Sequence, residues 1–154
     1  MTVLGVISDT HGLLRPEAMD TLRGSAHILH AGDIGAPEIL DELRNIAPVT
    51  AVRGNVDRTV WARKIADREV LQVEGVSIYM LHILGELDLK PEASGFGVVV
   101  YGHSHVPKVE VKNGVLHFNP GSAGPRRFKL PVTVGKLVVE GGAVRGEIVE
   151  LRDL

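Results

Sequence analysis

The chain opens on an apolar run, Val3-Leu4-Gly5-Val6-Ile7, that stops abruptly at a polar cluster containing Asp9-Thr10-His11. A short, nearly all-apolar run of this kind predicts a parallel strand buried on both faces. Leu14, Ala18, Met19 and Leu22 then return at helical spacing with Pro16 near the start, which predicts a helix lying over the sheet. The plan repeats. A second strand around Ala26 to Leu29 reaches Gly32-Asp33, and Pro37 opens a helix that carries Ile39, Leu43 and Ile46 on one face. A third strand, around Val49 to Val52, stops at Arg53-Gly54-Asn55. Three times an apolar strand feeds a loop rich in Asp, Asn, His and Gly. Open α/β sheets hold their ligands at that carboxyl end.

After Val70 the pattern changes to paired strands. Val70 to Val73 and Val76 to Leu81 flank a tight turn at Glu74-Gly75, and His82 ends the second of them. Leu87 to Ala93 is weakly helical and Gly97 to Tyr101 is a strand. Val109 to Val111 and Val115 to Phe118 face each other across Asn113-Gly114, the clearest hairpin signal in the chain. Leu137 to Val139 and Ala143 to Leu151 form a last hairpin around Gly141-Gly142. The expectation is an α/β fold of two packed sheets with helices outside, in a single domain spanning residues 1–154.

Composition narrows the chemistry. There is no cysteine, so any metal site must be built from carboxylate, imidazole and amide donors. Seventeen basic against nineteen acidic residues give a net charge of -2 without long blocks, which supplies no electrostatic track for nucleic acid. The first apolar run lacks a basic flank and reads as a strand, not a signal peptide, and no run approaches a membrane span. A soluble cytoplasmic protein is expected.

The candidate chemistry lies at the strand ends. Asp9 and His11 leave one strand with a single residue between them and can converge on a metal. Asp33 follows a glycine, and its two oxygens suit it to bridging two cations. Asn55 offers a carbonyl oxygen, and His82, His103 and His105 offer imidazole nitrogens. Each of these residues taken singly would serve as a cap, a turn residue or an interior histidine. The seven together provide about four donors for each of two adjacent divalent metals, an arrangement that hydrolyses phosphate esters. Arg15, Arg53 and Arg58 lie near these motifs and are candidate donors to substrate phosphate oxygens. Asp57 is expected to orient a neighbouring ligand, and His30 to support the site without coordination. Trp61 is open between a rim contact and core packing.

Asp9-Thr10-His11, Gly32-Asp33, Gly54-Asn55-Val56-Asp57, His82, Gly102-His103-Ser104-His105 and Asn119-Pro120-Gly121-Ser122 together resemble the calcineurin-like metallophosphoesterase superfamily, in its small single-domain phosphodiesterase branch. The resemblance implies a four-layer α/β/β/α sandwich. It assigns Asp9, His11, Asp33 and His105 to one metal and Asp33, Asn55, His82 and His103 to the other. It makes Asp33, Asn55, Asp57 and His82 the catalytic set and places Asn119 to Ser122 against the histidine loop.

The implied reaction is in-line hydrolysis of a small phosphodiester by hydroxide between two divalent ions. Manganese is expected, with iron, nickel, cobalt or zinc as other occupants, and a homodimer is the expected assembly. A phosphomonoesterase or nuclease on the same centre, and a weakly catalytic scaffold subunit of the retromer type, are the alternatives. Two departures stand out. Val56 occupies the position where larger relatives carry a histidine, and Leu84 the position where the small phosphodiesterases usually carry one, so substrates with good leaving groups should react most easily.

Overall fold

The computed structural model describes residues 1–152 and 154. Its element order is β1 (Thr2–Ile7), α1 (Pro16–Leu22), β2 (His27–His30), α2 (Pro37–Leu43), β3 (Val49–Ala51), β4 (Arg68–Val73), β5 (Val76–Leu81), β6 (Val98–Val100), β7 (Lys108–Lys112), β8 (Val115–Asn119), β9 (Thr133–Glu140) and β10 (Ala143–Glu150). One sheet has the order β10-β9-β1-β2-β3 and the other β4-β5-β6-β8-β7. Both are mixed. In the first, β1, β2 and β3 run parallel while β9 and β10 join antiparallel. In the second, β5, β6 and β8 run parallel with an antiparallel strand at each edge.

Strand alternation sorts the apolar residues into three layers. Leu4 and Val6 of β1, Ile78 and Met80 of β5, and Leu116 and Phe118 of β8 fill the space between the sheets. The Phe118 ring lies against Gly135 and Gly146, where a Cβ would stand 2.5 and 2.6 Å from ring carbons. Ile7 and Ile28 turn the other way, onto Ala18 and Leu22 of α1 and Ile39, Leu40 and Leu43 of α2. Gly5 lets α1 come close, since a Cβ there would meet Leu22 at 2.7 Å. Proline supplies the first turn of both helices, where its missing N–H removes no intrahelical bond. Trp61 is half-buried against this helix-side core, so packing is its role in the fold.

The outer face of the second sheet is covered differently from the expectation. Residues 87–93 form no helix. A 3-10 turn at Leu84–Glu86 and an irregular stretch bring Leu84, Leu87, Leu89 and Phe96 onto Tyr79, Leu81, Val99 and Tyr101. Pro91 would break a helix interior, and Leu87 and Leu89 are two apart, a spacing that extended chain can bury together and a helix cannot. The fourth layer of the sandwich is therefore a 3-10 turn and loop. Ile46 also lies outside α2, in the turn that follows it. Among the described residues no helix is long and apolar enough to cross a membrane.

Candidate metal centre

The carboxyl ends of β1, β2, β3, β5 and β6 meet at one end of the sandwich, so the loops beginning at Ser8, Ala31, Val52, His82 and Tyr101 open onto a common place. Five residues there hold left-handed backbone without being glycine: Asp9, His11, Asp33, His103 and His105, with φ between 45° and 72°. Such conformations are costly for β-carbon-bearing residues and persist only where their surroundings enforce them. The enforcement is visible. Asp9 N–H donates to the Gly32 carbonyl and His11 N–H to the Asp33 carbonyl, each at 2.9 Å, which sews the first loop to the second.

Glycine precedes a predicted ligand in three loops, and in each a β-carbon would collide. At Gly32 it would meet His82 Nδ1 at 2.7 Å, at Gly54 the Asp33 carboxylate, and at Gly102 the Ser8 hydroxyl and Asp9 Oδ2. Close approach of backbone to ligand is the reason for glycine at these positions.

Each carboxylate has one oxygen tied down and one left open. Asp9 Oδ2 accepts from the Ser8 hydroxyl at 2.7 Å and from the His103 N–H at 3.1 Å, while the buried Oδ1 has no hydrogen-bond partner. Asp33 Oδ1 accepts from the Val56 N–H at 3.0 Å, which leaves Oδ2 facing His82 Nε2 at 3.2 Å and His11 Nε2 at 3.6 Å. Asp9 Oδ1 lies 3.8 Å from the Nε2 atoms of both His11 and His82, and 3.4 Å from His105 Nε2. His82 Nδ1 donates to the Ala31 carbonyl at 2.7 Å, so in the neutral ring Nε2 is the nitrogen with a free lone pair.

The donor atoms of Asp9, His11 and His105 form one group and those of Asp33, His82 and His103 a second. His103 Nδ1 stands 3.2 Å from Asn55 Oδ1, which attaches Asn55 to the second group. Two donors on one cation at about 2.1 Å stand roughly 3.0–3.4 Å apart, close to the separations seen here. Three buried polar atoms without partners, Asp9 Oδ1, His11 Nε2 and His82 Nε2, converge on the same place. Buried polar atoms are rarely left unpaired, and a divalent cation would satisfy these. The donor set fits a pair of such ions. All seven predicted ligands are brought together, and Asp33 Oδ2, the oxygen not bonded to Val56, would be the one available to hold an ion.

Burial pushes the Asp9 carboxyl up, against the opposing hydrogen bond from Ser8 and the neighbouring His82 and His105. Burial also acts to raise Asp33, but the His82 and Val56 hydrogen bonds and the nearby imidazoles outweigh it and hold the carboxyl at about 2. His82 is raised because Asp33 and Asp9 outweigh its desolvation. His105 is lowered by burial, and the charge of Arg127 adds to that in opposition to Asp9.

The surrounding residues brace the ligand loops. Asp57 does not reach the donor cluster. Its carboxylate accepts from the N–H groups of Ile34, Gly35 and Gly54 at 2.9–3.1 Å, so it positions two ligand loops and is not in contact with the reacting centre. Arg15 donates to the Gly124 carbonyl and Arg58 to the Asn55 carbonyl, so each braces a loop through one of its nitrogens. Arg53 is held by Asp67 through two nitrogens and lines a cleft of about 230 Å³ with Asn55, Arg68, His82, Ile83 and Glu86. Leu84 is drawn into the apolar cover of the second sheet.

Asn119 reaches the histidine loop through its side chain, donating to the Gly102 carbonyl and the Ser104 hydroxyl. His30 is wholly buried and supports from behind. Its Nδ1 accepts from the Gly32 N–H at 3.1 Å, which makes Nε2 the protonated nitrogen, 3.0 Å from Thr10 Oγ1, and that hydroxyl donates on to the Ile34 carbonyl. Ser8 and Thr10 were missed as partners; their positions on either side of Asp9 were the available signal.

Comparison with known proteins identifies the family. A probable metallophosphoesterase of Methanothermobacter thermautotrophicus is 34% identical over 161 aligned residues, covering 96% of this chain and 91% of that one. Among solved structures, an archaeal phosphodiesterase superposes with a TM-score of 0.79 at 24% identity, covering 96% of this chain and 100% of that one. Vps29 of Chaetomium thermophilum superposes equally well, 0.79 at 19% identity, covering 97% and 96%. The model of the calcineurin-like phosphoesterase superfamily domain matches residues 1–142, a span that contains every donor described above, and the chain belongs to that superfamily.

Proposed function

We propose that this protein is a phosphodiesterase whose two-metal centre cleaves small phosphodiesters, with manganese as the activating ion, in a single-domain chain that pairs as a homodimer in the cytoplasm. The observation that carries the reading is the convergence of Asp9 Oδ1, Asp33 Oδ2, His11 Nε2 and His82 Nε2, while the second atom of Asp9, Asp33 and His82 is committed to Ser8, Val56 and Ala31. The donors are held before anything binds, so little ordering cost opposes loading. When bound, a pair of divalent ions supplies Lewis acidity to phosphate oxygens and a nucleophilic water at neutral pH. The homodimer rests on the prevalence of two-fold pairs, and the cytoplasm on a cysteine-free chain that needs no oxidising compartment.

The chain's own residues set what reacts. Asn55 and His103 are exposed and mark the open side, beside the cleft of Arg53, Arg68 and Ile83. Val56 stands at the surface and Leu84 in an apolar cluster, so neither can protonate a leaving group. A diester with an acidic leaving group needs no such proton. Hydrolysis of bis(p-nitrophenyl) phosphate by metal-stripped protein, with and without manganese and beside Asp33→Asn, tests the reading. Turnover that requires manganese and falls at least a hundredfold in Asp33→Asn is expected, with p-nitrophenyl phosphate a poorer substrate. Folded, manganese-loaded protein with no turnover would favour the scaffold reading, for which the shared fold with Vps29 is the supporting observation.

A further inference from the structure

Between Ser122 and Val132 the chain makes an excursion whose two ends are tied together, Ser122 bridging Val132 and the Thr133 N–H donating to the Ser122 carbonyl at 2.9 Å. The base of this loop is fixed to the back of the first ligand loop. Ala123 N–H donates to the Ser8 carbonyl, the Ser122 hydroxyl donates to the Asp9 carbonyl at 3.1 Å, and a β-carbon on Gly124 would collide with the carbonyls of Asp9 and Thr10. Arg15 adds a bond to the Gly124 carbonyl.

From that anchor the loop presents Pro125-Arg126-Arg127-Phe128-Lys129 to solvent. No acidic residue lies between Glu110 and Glu140 in the sequence. The loop is also internally braced: Leu130 N–H donates to the Arg127 carbonyl at 3.1 Å and Arg126 Nε to the Leu130 carbonyl at 3.3 Å. Phe128 is 88% exposed and holds left-handed backbone at φ 55°. An apolar ring held out in water on unfavourable backbone gains nothing from folding alone, which points to a surface kept for a ligand.

We infer that this loop selects nucleotide-like phosphodiesters for the adjoining centre, Phe128 stacking on the base while Arg126, Arg127 and Lys129 receive a second phosphate. The inference rests on the phosphodiesterase reading. Aromatic stacking accepts any base, arginine forks suit phosphate oxygens, and a preformed loop loses little freedom on binding. A chain of net charge -2 gives this patch no continuation that would follow a polymer, so the expected substrate is a short nucleotide.

The test has two arms. With manganese-loaded protein, p-nitrophenyl thymidine 5′-phosphate and methyl p-nitrophenyl phosphate share a leaving group and differ by the nucleoside. Phe128→Ala should lower the kcat/KM preference for the nucleoside ester about three- to tenfold, chiefly through KM. Calorimetric titration with adenosine 3′,5′-bisphosphate should show about tenfold weaker binding in Arg127→Glu/Lys129→Glu, with a steeper loss in 0.3 M salt for the parent protein. An unchanged preference together with unchanged bisphosphate affinity would overturn the inference. So would binding of the loop to phosphatidylserine vesicles in place of the bisphosphate, which would make it a membrane contact. If neither ester is hydrolysed the phosphodiesterase reading fails, and the titration alone decides whether the loop binds nucleotides.

Discussion

The two ends of the sandwich use left-handed backbone for opposite reasons. At the end away from the donors, positive φ falls on Glu74-Gly75, Asn113-Gly114 and Gly141-Gly142, the turns of three antiparallel hairpins. Nothing lies within 4 Å of a β-carbon built on any of those four glycines. At the donor end it falls on Asp9, His11, Asp33, His103 and His105, and Gly32, Gly54 and Gly102 beside them have no room for a β-carbon. Hairpin turns need the conformation because it matches strand twist, and local sequence alone secures it. The ligand loops need it to aim side chains at one place, and only contacts between loops secure it. Strain that is local is cheap to alter, and strain held by tertiary contacts is not.

The sharpest break of this comparison is a matched pair of alanines. Gly54→Ala drives a methyl into the Asp33 carboxylate and should lower manganese affinity and diester hydrolysis about a hundredfold. Gly114→Ala strains a turn and should cost only about 1 kcal/mol of stability at unchanged kcat/KM. Equal effects on activity, measured by steady-state kinetics and urea unfolding, would remove the distinction.

Next in size is Asp57→Asn. It replaces an ion that accepts from three loop N–H groups with an amide that can accept on one oxygen. About 1–3 kcal/mol of stability should go, and metal affinity should fall about tenfold or more, although Asp57 touches no donor. Isothermal titration with manganese separates that outcome from a purely local loss of stability.

A smaller effect comes from pH. Burial holds His30 neutral, down to about 3 from its ordinary 6.5, so below about 6.5 the unfolded chain binds a proton that the fold does not. Metal-free protein should therefore lose stability from this residue as pH falls through that window, by up to about 1.4 kcal/mol per unit. His30→Asn keeps an acceptor for the Gly32 N–H and should flatten the acid slope by one proton in urea titrations between pH 6.5 and 4. An unchanged slope would mean that His30 titrates freely.

The smallest effect expected is a gain. Val56 is 48% exposed and contributes only its N–H to Asp33, so Val56→His should fold normally. It should raise turnover several-fold on diesters with poor leaving groups and little on p-nitrophenyl esters. A uniform change across leaving groups would show that position 56 faces away from the departing oxygen.

What the sequence reveals follows the same division. Asn113-Gly114, Glu74-Gly75 and the apolar runs of β1 and β5 are readable because turn chemistry and strand period act over a few residues. The seven donors are readable as residue types at the ends of predicted strands, although which oxygen of Asp9 and Asp33 stays open is not, since Ser8, His103 and Val56 decide it by tertiary contact. Asp57, expected from the sequence to orient a neighbouring ligand, accepts from loop N–H groups, and Arg58, singled out by proximity in sequence, donates to the Asn55 carbonyl. The helix expected over 87–93 is missing because the outer face of the second sheet could bury Leu84, Leu87, Leu89 and Phe96 without one. Gly54 and Gly102 carried a signal visible in advance, a glycine immediately before a donor, whose reason becomes clear only when the neighbouring loop is in place.

Anomalous diffraction from a crystal soaked in manganese chloride tests the central claim most directly. Two peaks about 3.5–4 Å apart are predicted, one against Asp9, His11 and His105, the other against Asn55, His82 and His103, with Asp33 Oδ2 between them. A single peak, or a pair that Asp33 does not join while its bond from Val56 persists, would contradict the two-metal account.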